Sequence, residues 1–473
     1  MGERPMGERN GSADASEHHA IESNNAIYSK WCRIWKPNSK RVSQEYQSTM
    51  ALQVIIVGAG LAGLCAAAAL RQAGHQVQIF EKSQFLGEVG AAVVLSPNSS
   101  SVLAQMGFSF DRARVRQLKS WESVDGITLD AIGSVDQSGC EEKFGMPLMG
   151  VHRVDLHNEL MRLACDDSHQ ASSTGAVSVR CGVKVVGVMP DEGYVQLEDG
   201  TRHYADLIVA ADGLHSVARA AVVGADGVTS AYTGFSAFRF LIPSDMVKGN
   251  PEFDEVLSWK SDGLSVLVDT RDKINERHMA WYECQGGEVQ NLVGIHPSAN
   301  TVKSEDIEGN RALMIEEFGH FHPNVVKLMK IAPDIRSWPL MKNDPLRKWS
   351  KGKVLLIGDA AHAMLPFGGQ GANQALEDGG ALGYLFRGVE NAAEIPTRLA
   401  LFETVRRKRA SRIQILSTVR IGKEIEVEKL LQEYDEPGVS RPTNFEERTH
   451  HDFSFKLLNR CDEVLEAARA IKC

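Results

Sequence analysis

From residue 51 onward, the chain alternates short apolar runs with helical patterns. The first run, Ala51–Val57, is continuous and rich in β-branched residues, as is typical of a strand buried on both faces of a parallel sheet. An alanine-rich helical pattern extends to Leu70, Gly74 ends it, and Val77–Phe80 is the next apolar run. This order predicts a strand–helix–strand unit with two parallel strands.

The pattern of apolar and polar residues changes in the middle of the chain. Short strands separated by polar turns are predicted at Tyr232–Ile242, Leu264–Asp269, His278–Glu283 and Asn291–Ile295. They indicate an antiparallel sheet inserted into the parallel fold. The predicted fold class is therefore α/β: a Rossmann-like domain with an inserted antiparallel sheet and a C-terminal helical region.

Composition narrows the function classes. The 473 residues are 43% hydrophobic and 24% charged, which is ordinary globular composition, and the net charge of −9 offers no overall field for nucleic acid or an anionic membrane. The eight cysteines are scattered without a C-x-x-C pair, which favours a reducing, cytoplasmic location. The apolar runs are too short to cross a bilayer. A soluble protein with a small-molecule partner is expected, and a homodimer is one option for its assembly.

The turn after the first strand carries a glycine fingerprint. In Gly58-Ala-Gly60-Leu-Ala-Gly63, Gly58 permits the tight turn, Gly60 lets the backbone approach a pyrophosphate, and Gly63 allows close helix–strand packing. Glu81, at the end of the second strand, can accept hydrogen bonds from both hydroxyls of an adenosine ribose. This combination indicates FAD or NAD and leaves the choice open.

Two strand ends further along the chain bear on the choice between FAD and NAD. One apolar strand ends at Asp212-Gly213, another ends at Gly358-Asp359, and Pro366–Asn373 leads into a helix with small residues on one stripe. With the three motifs in this order, the chain resembles the FAD-dependent aromatic hydroxylases, the single-component flavoprotein monooxygenases related to salicylate hydroxylase and 4-hydroxybenzoate hydroxylase. The resemblance covers about residues 50–415.

The resemblance implies roles for residues of these motifs. Glu81 would bind the FAD ribose, Arg153 would lie near the flavin or its phosphates, and Asp359 would bind the ribityl chain or pyrophosphate. The Asp-Gly motif adds Asp212. The turn containing Gly371 and Ala372 would direct backbone N–H groups at the flavin, which helps because reduced flavin is anionic. In Gly87-Glu-Val-Gly90-Ala-Ala92, alanine stands at 92 where the family usually has glycine, which narrows the pocket slightly.

Two residues of the inserted sheet are candidate catalytic residues. Period-two alternation puts Arg239 on the face that carries Phe235, Ala237 and Leu241. Either Arg239 stacks on an aromatic ring or reaches water, or it faces the flavin and binds the phenolate or carboxylate of an aromatic substrate, as the resemblance implies. Tyr282 either packs in the core or hydrogen-bonds the same substrate oxygen.

Other conspicuous residues are interpreted as structural. The basic run Arg406–Arg409, with Arg412, is predicted to be a solvated helix face. The histidine pairs at 320/322 and 450/451 lack acidic or thiol partners at metal-site spacing, so no metal is assigned.

The resemblance and the pattern together predict four parts of the chain. Residues 1–49, which are polar and lack the apolar core of a secretory signal, form a disordered extension. Residues 50–228 and 339–415 form a discontinuous FAD-binding domain, 229–338 a substrate-binding sheet, and 416–473 a C-terminal helical segment.

The predicted function is FAD-dependent hydroxylation of a phenolic or aromatic small molecule, including those of secondary metabolism. The resemblance implies NAD(P)H and O2 as co-substrates and a flavin C4a-hydroperoxide. The alternatives are an FAD-dependent oxidase or dehydrogenase and a non-catalytic flavin-binding regulator.

Overall fold

The computed structural model describes residues 51–84, 92–166, 175–224, 230–272, 277–297 and 306–472. The predicted disordered extension at 1–49 lies outside the described residues. The described strands are β1 Gln53–Val57, β2 Gln76–Glu81, β3 Ala92–Leu95, β4 Arg116–Gln117, β5 Ser120–Asp125, β6 Ala131–Asp136, β7 Met149–His152, β8 Val177–Cys181, β9 Val185–Met189, β10 Tyr194–Leu197, β11 Arg202–Tyr204, β12 Leu207–Ala210, β13 Ser230–Pro243, β14 Leu264–Val268, β15 His278–Cys284, β16 Val289–Pro297, β17 Asp334–Asn343, β18 Ser350–Lys351 and β19 Val354–Leu356.

Fourteen α-helices occur in the same ranges, and short 3-10 turns connect several of them. The described helices are α1 Leu61–Gln72, α2 Pro97–Gln105, α3 Cys140–Phe144, α4 Arg153–Cys165, α5 Arg219–Val223, α6 Asp254–Trp259, α7 Ile307–Phe318, α8 Pro323–Ile331, α9 Asp359–His362, α10 Gly371–Leu385, α11 Ile395–Leu416, α12 Glu428–Leu431, α13 Phe445–Phe453 and α14 Leu457–Lys472. None of them is long and apolar enough to cross a membrane.

The first sheet has six strands in the order β18-β19-β12-β1-β2-β8, and all pairs except β18–β19 are parallel. Val57 at the end of β1 pairs with Ala210 of β12 and Phe80 of β2, and Ala210 pairs with Leu356 of β19. The carboxyl ends of these four strands therefore meet at one edge, where open α/β sheets bind their ligands.

Helix α10 packs closely on α1 because its facing residues are small. A Cβ built on Gly379 would lie 2.7 Å from Sγ of Cys65, and one built on Gly383 would lie 2.3 Å from Cβ of Ala69. Side chains at either position would push the helices apart. The stripe of small residues read from the sequence is thus a helix–helix contact.

The second sheet has seven strands in the order β17-β13-β16-β15-β14-β5-β6. Its outer face carries Phe238 and Phe240 and packs on helices α7 and α8 through residues such as Phe318 and Leu328. Its inner face carries Ala237 and Ile295, which pack with Leu365 and Phe367 just before α10. The sheet therefore covers the edge of the first sheet.

The second sheet also extends beyond the predicted inserted segment. Strands β5 and β6 come from residues 120–136, and β5 pairs in parallel with β14. Strand β6 is exposed along its whole length. A fully exposed strand has no apolar alternation, so the sequence pattern gave no sign of it.

The predicted solvated face of helix α11 is wrong. Arg406, Arg409 and Arg412 are 0%, 2% and 3% exposed, respectively. Arg406 donates from Nε to Oδ1 of Asp378 at 2.8 Å and also bonds Glu377, and Arg409 forms a bidentate pair with Glu377 at 2.7 and 2.8 Å. Arg406 and Arg409 are thus buried because two adjacent buried carboxylates on α10 pair with them, and a buried charge requires a partner. Arg412 instead pairs with Glu436 at 2.8 Å.

Removing Arg406 should destabilise the fold strongly. Arg406→Ala leaves Asp378 buried without its guanidinium partner, and we expect a loss of about 3–5 kcal/mol in the free energy of unfolding. Urea titration followed by circular dichroism measures this loss. Arg407→Ala, on the same helix but half-buried and 3.8 Å from Glu403, is the control and should cost below about 1 kcal/mol. Equal losses in the two variants would contradict this account.

The stabilisation from Glu377 should disappear in acid. Burial alone would raise the pKa of Glu377, but Arg406 and Arg409 lower it from 4.5 to about 2. A depressed folded-state pKa stabilises the protein above the unfolded value, and that contribution is lost as the pH falls toward the folded value. The difference in unfolding free energy between the native protein and Glu377→Gln should therefore shrink from pH ~4.5 toward ~2. If the difference in unfolding free energy stays constant over this pH range, Glu377 is not stabilised by the ion pairs in this way.

Candidate active site

The glycine turn between β1 and α1 has the geometry of a phosphate cradle. Gly58 has a φ of +101°, and a Cβ there would lie 2.5 Å from the Ala211 carbonyl oxygen. A Cβ on Gly63 would lie 2.0 Å from the Gly58 carbonyl oxygen, whereas one on Gly60 would meet no atom of the described residues within 4 Å. Two glycines therefore close the turn, and the third leaves open space before the N-terminus of α1, which has no side-chain cap.

Glu81 ends β2 beside this turn. Its Oε2 accepts a hydrogen bond from the Ala59 N–H at 2.8 Å, and its Oε1 accepts one from the Ser83 N–H at 2.8 Å. A carboxylate has about four acceptor positions, so two remain for hydroxyl donors. The residue thus fixes the glycine turn while keeping the capacity to bind a ribose.

The next two strands bring Asp212 and Asp359 to the same edge. Asp359 begins α9 with an exposed side chain. Asp212 accepts the Val217 N–H at 2.7 Å through Oδ2, while its buried Oδ1 has no partner in the described part of the chain. The Asp212 carboxylate therefore holds its own loop, whereas the Asp359 carboxylate is exposed at the edge of the sheet.

Arg219 joins these two loops, and the sequence reading missed it. Its guanidinium donates to the carbonyl oxygens of Asp359 and Ala360 at 2.8 Å and of Leu214 at 2.9 Å. It is 2% exposed. The available signal was its position seven residues after Asp212, at the end of the predicted acidic turn.

Helix α10 points its N-terminus at the same edge. Gly371 and Ala372 are its first residues, and no side chain caps it. Nδ2 of Asn373 donates to the carbonyl oxygens of Val94 at 2.9 Å and Gly369 at 2.8 Å, which ties the helix start to β3. An uncapped helix start offers backbone N–H groups and a positive dipole end to an anion.

Strand β3 runs between this helix and the second sheet. Its first residue, Ala92, is 6% exposed, pairs with His152, and donates its N–H to Oδ1 of Asn291 at 3.1 Å. The remainder of the predicted flavin loop, Gly87 to residue 91, lies outside the described residues. Arg153 follows His152 as the first residue of α4 and is half-buried.

Arg239 lies on the inner face of the second sheet, toward this edge. Its guanidinium lies 5.5 Å from the ring centroid of Trp338, and its buried Nε has no hydrogen-bond partner in the described ranges. Burial lowers the pKa of Arg239; Tyr282 and Asp359 oppose the shift, and Arg153 adds to it. The stacking alternative thus occurs, and the same guanidinium also interacts electrostatically with residues of the strand-end edge.

Tyr282 lies two strands away on the same face. It is 5% exposed and packs with Ala92 and Leu264. Burial raises the pKa of Tyr282 well above its usual range, although Arg239 opposes the shift. Its hydroxyl is therefore neutral and able to donate a hydrogen bond near Arg239.

Arg420, after helix α11, is a second cation at this face, and the sequence reading gave it no role. Its guanidinium lies 3.7 Å from the ring centroid of Phe367 and 5.1 Å from that of Phe235. Nη1 lies 3.4 Å from Nε2 of His278, and burial lowers the pKa of Arg420 to about 9. No local pattern could indicate it, because its neighbours come from distant segments.

These features suit a flavin dinucleotide. The open space at Gly60, the unpartnered Oδ1 of Asp212, the exposed Asp359 and two uncapped helix starts all occur at one sheet edge. Phosphates match the helix starts, and ribose or ribityl hydroxyls match the carboxylates.

Comparison with known proteins identifies the family and the cofactor. Residues 51–416 match the family described as FAD binding domain. Hispidin-3-hydroxylase from Neonothopanus nambi is 34% identical over 375 residues, covering 76% of this chain and 86% of that protein. The 3-amino-4-hydroxybenzoate 2-monooxygenase from Streptomyces cremeus is 34% identical over 334 residues, covering 69% of this chain and 76% of that protein.

The solved structure of a salicylate hydroxylase substrate complex has the same fold, with a TM-score of 0.65 at 23% identity over 88% of this chain and 98% of that one. The family match and these relatives define a flavoprotein of the hydroxylase type. The chain belongs to the FAD-dependent monooxygenases of the aromatic hydroxylase type, and its cofactor is FAD.

Substituting Asp359 should weaken FAD binding. Asp359→Ala removes a carboxylate that we propose as the acceptor for a cofactor hydroxyl. We therefore expect the dissociation constant of FAD to rise about tenfold, because one hydrogen bond contributes about 0.5–1.5 kcal/mol. Reconstitution of the apoprotein followed by flavin absorbance measures this constant. Asp191→Ala, an exposed carboxylate in a turn away from the edge, is the control. Unchanged FAD affinity in Asp359→Ala would remove Asp359 from the site.

Proposed function

We propose that this enzyme hydroxylates a phenolic small molecule with NAD(P)H as reductant and O2 as oxygen donor, and that Arg239 binds the substrate oxygen. The observation that carries the proposal is the buried Nε of Arg239, which has no hydrogen-bond partner among the described residues and lies on the face of the second sheet that is turned toward the FAD site. Hydroxyl-bearing aromatics also fit what is known of relatives, since one of them is a 3-amino-4-hydroxybenzoate 2-monooxygenase.

Arg239 would bind the substrate as a phenolate. A guanidinium beside a phenol favours the ionised form, because an opposite charge stabilises it more strongly where water is scarce. An ionised ring is electron-rich and accepts an electrophilic oxygen more readily. Trp338 would hold the guanidinium from the other side.

Tyr282 would donate a hydrogen bond to the same oxygen. Its raised pKa keeps the hydroxyl neutral, so it donates a hydrogen bond without adding negative charge next to the phenolate. Because Tyr282 also packs against Ala92, its ring is held in place by the β3 strand that borders the FAD site. The residue is therefore positioned by packing and acts through its hydroxyl.

Glu81, Asp212, Asp359 and the turn at Gly371 would hold FAD. When bound, FAD takes electrons from the nicotinamide and activates oxygen. The inner face excludes water around it: Ala237, Ile295 and Leu365 are all less than 5% exposed. Such a dry surface strengthens the interactions of Arg239 and protects reactive species.

We infer a cytoplasmic enzyme, since Cys65, Cys140, Cys284 and Cys461 are buried and form no disulfide. Assembly as a homodimer stays a prediction of the sequence.

Replacing Arg239 should abolish most of the hydroxylation without loss of FAD. Arg239→Gln removes the charge that ionises the substrate, and we expect product formation to fall at least roughly 100-fold, about 2.7 kcal/mol of transition-state stabilisation. Arg239→Lys should recover part of it, because lysine keeps the charge but not the planar fork. The measurements are single-turnover hydroxylation across a panel of phenols, flavin content and thermal melting.

Arg336→Gln is a matched control. Arg336 lies on β17 directly opposite Arg239 of β13 in the sheet register, and it forms its own ion pair with Asp334 at 3.0 Å. It should leave turnover within about twofold of the native protein. A stable, flavin-replete and fully active Arg239→Gln would remove Arg239 from the active site. Oxidation of NAD(P)H without any hydroxylated product would instead favour an oxidase.

A further inference from the structure

The inner face of the second sheet holds a second unpartnered donor besides Arg239. Asn291 on β16 is 0% exposed, and its Nδ2 has no hydrogen-bond partner among the described residues. We propose that the Asn291 amide donates a hydrogen bond to a second oxygen of the aromatic substrate, so that the site selects phenols that also carry a carbonyl. This inference rests on the proposed function.

The orientation of the Asn291 amide is fixed by the backbone. Its Oδ1 accepts the N–H of Ala92 at 3.1 Å. A flipped amide would set its NH2 group against that N–H, so the hydrogen-bond network assigns Oδ1 to β3 and Nδ2 to the free position. The side chain therefore cannot satisfy its donor by rotating.

A buried amide without an acceptor is unfavourable. Leaving such a group unpaired costs about 1–3 kcal/mol. By contrast, the neighbouring Gln290, which points to the outer face of the same strand, has its amide fully engaged with Trp281, Ser244 and Glu283. Protein groups thus satisfy the buried amide of Gln290 on this strand, whereas the Nδ2 group of Asn291 is available to a ligand on the inner face.

Sheet register puts Asn291 in the substrate region rather than elsewhere in the core. It pairs directly with Tyr282 of β15 and with Leu241 of β13. Arg239 pairs with Val293, two residues along β16, so Asn291 and Arg239 are diagonal neighbours with Cα atoms about 7–8 Å apart. Three donors of one face thus form a triangle.

The triangle specifies two acceptor groups on the ligand. Arg239 and Tyr282 suit one negatively charged oxygen, whereas a neutral amide donor suits a neutral acceptor such as a ketone, ester or lactone carbonyl. Because the Asn291 Nδ2 group can only donate, a substrate whose second group is an alkyl chain leaves it unpaired. The expected substrate class is a carbonyl-bearing phenol.

Matched pairs of phenols test this class. The probes are 2,4-dihydroxyacetophenone against 4-ethylresorcinol, and 4-(4-hydroxyphenyl)butan-2-one against 4-butylphenol, which differ mainly in the carbonyl. Dissociation constants are measured from flavin spectral changes on the FAD-loaded enzyme. We expect the native enzyme to bind each ketone about tenfold more tightly than its alkyl partner, the effect of one buried hydrogen bond.

Three variants separate recognition from structure. Asn291→Leu removes the donor, and Asn291→Asp keeps the acceptor for the Ala92 N–H while replacing the donor with an acceptor. Both should abolish the preference for the ketone, and the ratio of the two dissociation constants is insensitive to a general loss of binding. Gln290→Leu should lower the melting temperature but keep the preference.

The outcomes distinguish this inference from the proposed function. If no phenol changes the flavin spectrum or stimulates NAD(P)H consumption, the proposed function fails and this inference with it. If phenols bind but the native enzyme shows no ketone preference, or Asn291→Asp retains it, only the role of Asn291 is overturned. If the Asn291 variants bind FAD more weakly but keep the preference for the ketone, the proposed role of Asn291 is likewise overturned and its amide is assigned to the flavin.

Discussion

Two adjacent buried carboxylates on helix α10 hold the site together. Oδ2 of Asp378 accepts the Gly358 N–H at 2.8 Å and bonds Nε2 of His362 at 2.6 Å, while Oδ1 accepts Nε of Arg406. One carboxylate therefore fixes both ends of the Gly-Asp turn and anchors helix α11. The direction in which Asp359 is presented depends on this turn.

Glu377 extends the same network to α2, the helix that follows β3. It accepts Nδ2 of Asn98 at 2.6 Å as well as the guanidinium groups of Arg406 and Arg409. Buried ion pairs add little net stability compared with apolar packing, but breaking one is costly. Their effect here is therefore geometric: the start of α10, the Gly-Asp turn and the β3 segment cannot shift independently.

The surface that we propose for substrate recognition forms where segments from distant parts of the chain meet. The second sheet contributes Arg239, Tyr282 and Asn291, the loop before α10 contributes Phe367, and the segment after α11 contributes Arg420. These cations and donors are on a surface that is otherwise apolar. The interactions of these groups are strong because water is scarce there. A buried cation or donor without a partner is correspondingly unfavourable.

The sequence by itself determined the local elements. The apolar run before Gly58, the glycine spacing and the small residues of α10 each depend on contacts between near neighbours or on a single helix period, so the strand–helix–strand unit and the helix–helix contact could be read directly. Only the tertiary structure decided the burial of Arg406, the membership of the exposed β6 strand, the link made by Arg219 and the free amide of Asn291. Each of these depends on a partner far away in the chain, and the pattern around a residue contains no information about a distant partner.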